Sequence, residues 1–410
     1  MTGGGRVDTV RSPVANLSYA TQHFIPSPIS VAMIDFPIIR WNEGGEERSA
    51  RWRSEAGMPP PKRVEVVDDR ITADAAYRLA CEGTALLWRG DFQNARQLLQ
   101  AMARRADGRP RKAKPQPAAP KDAFNLHRLA QSQRARTLGR LLLPFEADHS
   151  VPLRRAPDVS AACTEAYGVA TEPYVASLRG LQGLIGAHEW RKNGVEIPAL
   201  GARIHPHYGV FAPIRGEYVG LVNEAPLPAS LKSQSAAFDI GTGTGVLAAV
   251  LAKRGIRHIV ATDQDQRALD CARENLTRFD FAAQVEVVQA DLFPAGRAPL
   301  IVCNPPWLPA RPSSPLEAAI FDPESRMLRG FLDGLAAHLE VGGEGWLILS
   351  DLAEHLGLRT REELLAAIDA AGLKVLGKMD VKPHHPKVAD SGDALHAARA
   401  AETTSLWRLV

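Results

Sequence analysis

Cysteine is scarce in this chain. Four stand in 410 residues, Cys81, Cys163, Cys271 and Cys303, and no CxxC pair occurs. That spacing excludes a disulfide framework and a cysteine-built zinc site, and it fits a reducing compartment. Long apolar runs are also missing: none approaches the roughly 20 residues a bilayer-crossing helix needs. The opening "MTGGGRVDTV" lacks the basic-then-apolar order of a secretory signal. The expectation is a soluble, cytoplasmic protein with no membrane partner. Net charge is only +3, too small to argue for a nucleic-acid partner by itself. No repeat of 20 to 50 residues appears, which excludes a solenoid. What remains is a globular composition, 45% hydrophobic and 23% charged. At 410 residues the chain exceeds one ordinary core, so two or three domains are expected.

Residues 1–65 hold one short apolar stretch, "ISVAMIDFPIIRW", followed by a charged, proline-rich run, and read as irregular. From Thr72 the spacing turns helical. Leu79, Gly83, Leu86 and Leu87 share a face, Gly90 stops the run, and Asp91 caps a second helix through Phe92, Leu98 and Met102. Residues 66–150 are therefore read as a helical domain. Residues 104–121 interrupt it with seven basic residues against one acid, plus four prolines. Two readings stand for that stretch: a solvated linker, or an arm that follows the phosphates of a nucleic acid. Residues 151–225 are mixed and read as a connecting, substrate-bordering region, with a short hairpin and then a helix from Arg215.

From 226 to 410 the chain is regular. Continuous apolar strands such as "AAFDIG", "HIVATD", "VEVVQAD" and "LIVCN" alternate with helical stretches. Such strands are buried on both faces, so the domain is α/β with a doubly wound parallel sheet. The last two strands have no helix between them, which predicts a terminal antiparallel strand.

The first strand runs into Gly241-Thr242-Gly243-Thr244-Gly245 and then a helix. Glycines there let the backbone approach a ligand at a helix amino terminus. A dinucleotide fingerprint wants a small residue where Val246 stands, which lowers the dehydrogenase reading. Asp263 ends the second strand, 22 residues after Gly241, and can accept the hydroxyls of a ribose. Asp291 ends the third and can accept from an adenine amino group. Asp239, before the glycines, can face a cationic amino group. The fourth strand stops at Asn304-Pro305-Pro306-Trp307.

On these residues the stretch from about 200 to 410 resembles the class I S-adenosylmethionine-dependent methyltransferases, in particular the small-domain group with an Asn-Pro-Pro-aromatic motif. That group includes release-factor glutamine methyltransferases and methyltransferases of RNA base amines. The resemblance implies a seven-stranded Rossmann-like sheet and S-adenosyl-L-methionine as cofactor. It implies cofactor contacts at Gly241, Gly243, Gly245, Asp263 and Asp291. Thr242, Asp239 and Asn304 complete the expected cofactor site. The family usually carries Tyr or Phe where Trp307 stands. The segment "YGVFAPIRGEYVGLV" resembles the family's stretch that encloses cofactor and substrate.

The motif also suits the chemistry. A planar amide or aromatic amine is a poor nucleophile because its lone pair is delocalised. Two acceptors gripping its N–H groups, the Asn304 side-chain oxygen and the Pro305 carbonyl, can turn that lone pair towards a methyl donor. Pro305 and Pro306 fix the backbone, and Trp307 offers a flat face for stacking. Catalysis is accordingly expected at residues 304–307, with no metal. Cys303 reads as packing rather than as a nucleophile. His205, His207, His384 and His385 have no acid or cysteine cluster at ligand spacing. The acceptor stays open between a protein glutamine, an RNA base and a small amine, with a non-catalytic cofactor-binding scaffold as a further alternative. Residues 381–402, and 308–328 after the motif, are expected to wall the site.

Overall fold

The computed structural model describes residues 36–108, 119–232, 235–312, 317–383 and 394–410. The chain from Pro37 to Val410 is one compact unit built on two sheets.

The first sheet has six strands: β1 (Ile38–Glu43), β2 (Glu46–Trp52), β3 (Val64–Val67), β4 (Ala85–Trp88), β5 (Leu141–Phe145) and β6 (Tyr174–Ser177), in the order β1-β2-β6-β5-β4-β3. With them go α1 (Ala73–Cys81), α2 (Phe92–Ala106), α3 (Pro120–Leu138), α4 (Ser160–Tyr167) and α5 (Leu178–Asn193). This corrects the reading of residues 66–150 as helical and of residues 36–65 as irregular; residues 1–35 of that segment lie outside the described residues. β1 and β2 are joined by Gly44 and Gly45 at φ 64° and 89°. Two positive-φ residues make the tight turn whose twist matches a hairpin. One face of these strands is charged and solvated, so their alternation is faint in the sequence.

The expected helix through Leu86 and Leu87 is also corrected. α1 ends at Cys81, and Gly83 at φ 87° turns the chain. Ala85–Trp88 is then a strand buried on both faces between β3 and β5. A four-residue apolar run has no period of its own, so neighbours decide between helix and strand. Of the basic stretch 104–121, the first residues belong to α2, Pro120 opens α3, and residues 109–118 lie outside the described residues.

The stretch 151–225 divides between two cores. Cys163, Tyr174 and Leu184 pack with the first sheet's core. The hairpin β7 (Val195–Ile197) and β8 (Ala202–Ile204) packs with the second sheet, as does α6 (Glu217–Glu224).

The second sheet is the expected doubly wound one. It holds β9 (Ala236–Ile240), β10 (His258–Asp263), β11 (Val285–Gln289), β12 (Ala298–Cys303), β13 (Leu339–Ser350), β14 (Val375–Val381) and β15 (Thr404–Leu409). The order is β11-β10-β9-β12-β13-β15-β14, with β15 antiparallel to both neighbours as expected, though a six-residue helix, His396–Ala401, lies between the last two strands where none was expected. The accompanying helices are α7 (Val246–Lys253), α8 (Gln266–Arg278), α9 (Arg326–His338), α10 (Leu352–His355), α11 (Arg361–Ala370) and α12 (His396–Ala401). Strand order reverses between β9 and β12, the crevice where open α/β sheets hold ligands.

Candidate active site

Strand register brings the motifs together. In the parallel core, Ile240 of β9 pairs with Thr262 of β10 and with Cys303 of β12, and Asp263 pairs with Gln289. The residues that follow, Gly241, Asp263 and Asn304, therefore leave neighbouring strands at one level, with strands about 4.8 Å apart. Asp291 follows two residues beyond Gln289.

The glycine loop is held from behind. Thr242 Oγ1 and the Ala248 amide donate to Asp239 Oδ2 at 2.7 and 3.0 Å. Asp239 is buried, and its Oδ1 has no hydrogen-bond partner among the described residues. Burial pushes its carboxyl up to about 6, against the opposing pull of the Thr242 and Ala248 hydrogen bonds. An orphaned carboxylate oxygen of this kind suits a cationic ligand group. Gly241 stands at φ 71°, and a Cβ there would run into the Met327 side chain. At Gly243, by contrast, a Cβ would meet open space.

Asp263 Oδ2 accepts the Gly243 amide and its Oδ1 the Asp265 amide, both at 3.0 Å. Its pKa is raised, chiefly by burial. Both oxygens keep a second lone pair for a diol. Asp291 differs: it is exposed and already paired with Arg326 at 2.6 Å.

At the tip of β12, Trp307 Nε1–H donates to Asn304 Oδ1 at 2.9 Å. One acceptor position on that oxygen is used and one remains. Tyr218 of α6 meets Trp307 edge-on, 6.5 Å between centroids. The Arg215 guanidinium lies 5.5 Å from the centre of the same ring and 2.9 Å from Glu402. Glu402 is buried and also accepts Ser350 Oγ–H at 2.6 Å. Cys303 is fully buried, and its thiol is pushed well up, chiefly by burial. That keeps it protonated and unreactive.

All these tips open on one cavity of about 1380 Å³. Gly241, Thr242, Gly243, Asp263, Asp291, Asn304, Pro305, Pro306 and Trp307 line it. Asp239 and Gly245 do not line it; they brace the loop and open α7. Segment 208–218 contributes Tyr208, Phe211, Arg215 and Tyr218, and the stretch after the motif contributes Leu308, Pro312 and Phe321. Of residues 381–402, Leu395, Arg399 and Glu402 reach the cavity, while His384 and His385 lie outside the described residues. His205 and His207 are engaged elsewhere, with the Arg191 carbonyl at 2.6 Å and Glu274 at 2.7 Å.

The opposite wall was not legible in the sequence. Phe124, His127, Arg128, Gln131, Ser132, Ala135 and Arg136 form one face of α3 and border the cavity. Arg53, Tyr167 and Arg179 join them. The three- and four-residue spacing along α3 is regular, but only tertiary packing shows that this face meets the second sheet's binding edge.

Residues 205–356 match the family model described as methyltransferase small domain. A ribosomal protein L11 methyltransferase of Clostridium perfringens (strain SM101 / Type A) is 40% identical over 76 residues, 18% of this chain and 24% of that protein. A release factor glutamine methyltransferase of Cereibacter sphaeroides is 31% identical over 175 residues, 39% of this chain and 58% of that protein. The chain thus spans about a quarter of the first relative and somewhat over half of the second. Among solved structures, a methyltransferase from Thiobacillus denitrificans in complex with S-adenosyl-L-homocysteine is 14% identical, with a TM-score of 0.33. It covers 49% of this chain and 92% of that one.

Proposed function

We propose that this chain, whose residues 205–356 are a methyltransferase small domain, is an S-adenosylmethionine-dependent N-methyltransferase acting on a planar nitrogen of a macromolecule. The observation that carries the reading is the register: Asn304 and Gly241 leave adjacent strands at one level and line one cavity.

S-Adenosylmethionine supplies a methyl group on a sulfonium. Asp263 would hold its ribose and the Gly241–Gly243 backbone would border it. Asp239 would act through the glycine loop it braces, and Asp291 stays available through its second oxygen. Asn304 Oδ1, through its remaining lone pair, and the Pro305 carbonyl would grip the acceptor N–H groups. Gripped in this way, the nitrogen would turn its lone pair towards the methyl group that the cofactor would supply, and its own N–H would give up the proton to solvent. Alignment of nucleophile, carbon and sulfur can lower the barrier by roughly 7–11 kcal/mol, so no strong general base is required.

The cavity has room for the cofactor and an acceptor group together, and the relatives named for ribosomal protein L11 and for release factor glutamine favour a macromolecular acceptor over a small amine. A glutamine side chain of a protein is the first candidate. An RNA base amine is the second, favoured by Arg136 and Arg179, cavity residues with no acidic partner among the described residues. Intact Asn304 and Asp263 argue against a scaffold without catalysis. The test is Asn304→Ala: cofactor affinity should hold while turnover falls by orders of magnitude. Unchanged turnover would remove the mechanism.

A further inference from the structure

Arg215 stands just before α6, between the Trp307 ring and Glu402. It lines the cavity, and its charge is balanced by the buried Glu402 carboxylate. Yet its Nε and Nη2 are buried and make no aligned hydrogen bond, the 2.9 Å approach to Glu402 lying off the donor axis. A guanidinium carries five donors, and buried donors are almost always matched by an acceptor. Glu402 is meanwhile fixed by Ser350, so the guanidinium is held over Trp307, and its third nitrogen, Nη1, is neither buried nor hydrogen-bonded among the described residues.

Asn304 and Arg215 thus approach one indole, Asn304 Oδ1 accepting from the indole N–H and Arg215 lying over the ring. Their chemistry is complementary: the first presents an acceptor and the second presents donors. A carboxamide has the same pairing, with N–H groups on one atom and a carbonyl oxygen on the next carbon. An aromatic amine beside a ring nitrogen has it too. A protonated alkyl amine has no acceptor to offer and brings a like charge.

Resting on the methyl-transfer reading, we propose that Arg215 determines acceptor specificity. It donates to the hydrogen-bond acceptor adjacent to the reacting nitrogen and so selects conjugated planar nitrogens over alkylammonium groups. Glu402 is its positioning residue. This role gives the carboxyl-terminal segment before β15 a part in acceptor choice.

The experiment uses the full chain, S-adenosylmethionine with a radiolabelled methyl group, and a fractionated cell extract as acceptor source. Wild type, Arg215→Lys, Arg215→Met and Glu402→Gln are compared for apparent KM, kcat, cofactor Kd and melting temperature, and the labelled product is hydrolysed and identified. Arg215→Met should raise the acceptor KM at least about tenfold, the scale of one lost charged hydrogen bond, with cofactor Kd unmoved. Arg215→Lys should fall between, and Glu402→Gln should raise KM without altering cofactor Kd. The label should sit on an amide or a base nitrogen. Label on a lysine amine overturns the proposal, as does an unchanged KM in folded Arg215→Met. A wild type that binds cofactor but labels nothing removes the methyl-transfer reading, and this inference with it.

Discussion

Asp239 shows what one buried carboxylate does to the balance between folding and binding. Its folded pKa of about 6 lies above the ordinary 3.8. The folded state therefore holds a proton more tightly than the unfolded chain. Its contribution to stability is complete below pH 3.8 and is lost as pH rises to about 6, on the order of 2–3 kcal/mol. Asp239→Asn should remove this slope in pH-dependent denaturant unfolding and leave stability at pH 7 equal or higher. The same variant should bind S-adenosylmethionine more weakly, since the carboxylate that braces the glycine loop through Thr242 and the Ala248 amide is lost. Trp307→Phe tests a neighbouring point. It deletes the donor to Asn304 Oδ1, so turnover should fall about tenfold through loss of orientation, with cofactor affinity intact.

Single elements depend on their ends. α2 begins at Asp91, whose side chain caps Gln93 at 2.9 Å and pairs with Arg155 at 2.7 Å. The Arg155 hydrogen bond is the chief cause that holds its carboxyl down at about 2. A depressed acid stabilises the fold above its unfolded pKa, and that support is lost as pH falls from 3.8 to about 2. Asp91→Asn should thus destabilise at pH 7, and its difference from wild type should vanish near pH 2 in thermal melts. α11 offers a second case: Thr360 and Glu363 form a reciprocal capping box. Thr360→Ala should cost about 1 kcal/mol in urea unfolding.

At this scale the sequence was uneven. The long amphipathic α8 and α9 and the buried parallel strands announce themselves by period and composition. β4 does not, because four apolar residues fit either period and Gly83 settles the matter by its backbone. The hairpin β1–β2 hides because half of its residues face solvent and carry charge.

In the whole molecule, the six-stranded sheet and its helices wall the cavity opposite the glycine loop. That wall carries Arg53, Arg128, Arg136 and Arg179 against Glu55, which is itself paired with Arg267. The facing side carries Asp263, Asp265, Asp291, Glu317, Asp322 and Glu402 against three arginines. The cavity is therefore polarised, basic on the amino-terminal side and acidic near the cofactor loop. Salt titration with the double variant Arg136→Glu/Arg179→Glu separates the two acceptor classes. For RNA, acceptor KM should rise steeply with salt and the variant should flatten that slope. For a protein acceptor, the slope should be shallow in both.

The sequence by itself determined the second sheet and its binding edge. Strand apolarity, glycine spacing and the acids at strand tips are local, and a parallel sheet places such tips side by side without further choice. Tertiary structure alone decided what faces that edge. The α3 wall, tied to Glu317 through Arg128, the Arg215–Glu402 pair and the ion pair that occupies Asp291 join residues 35 to 189 positions apart. Contacts at that range leave no periodicity to read, because only packing brings them together.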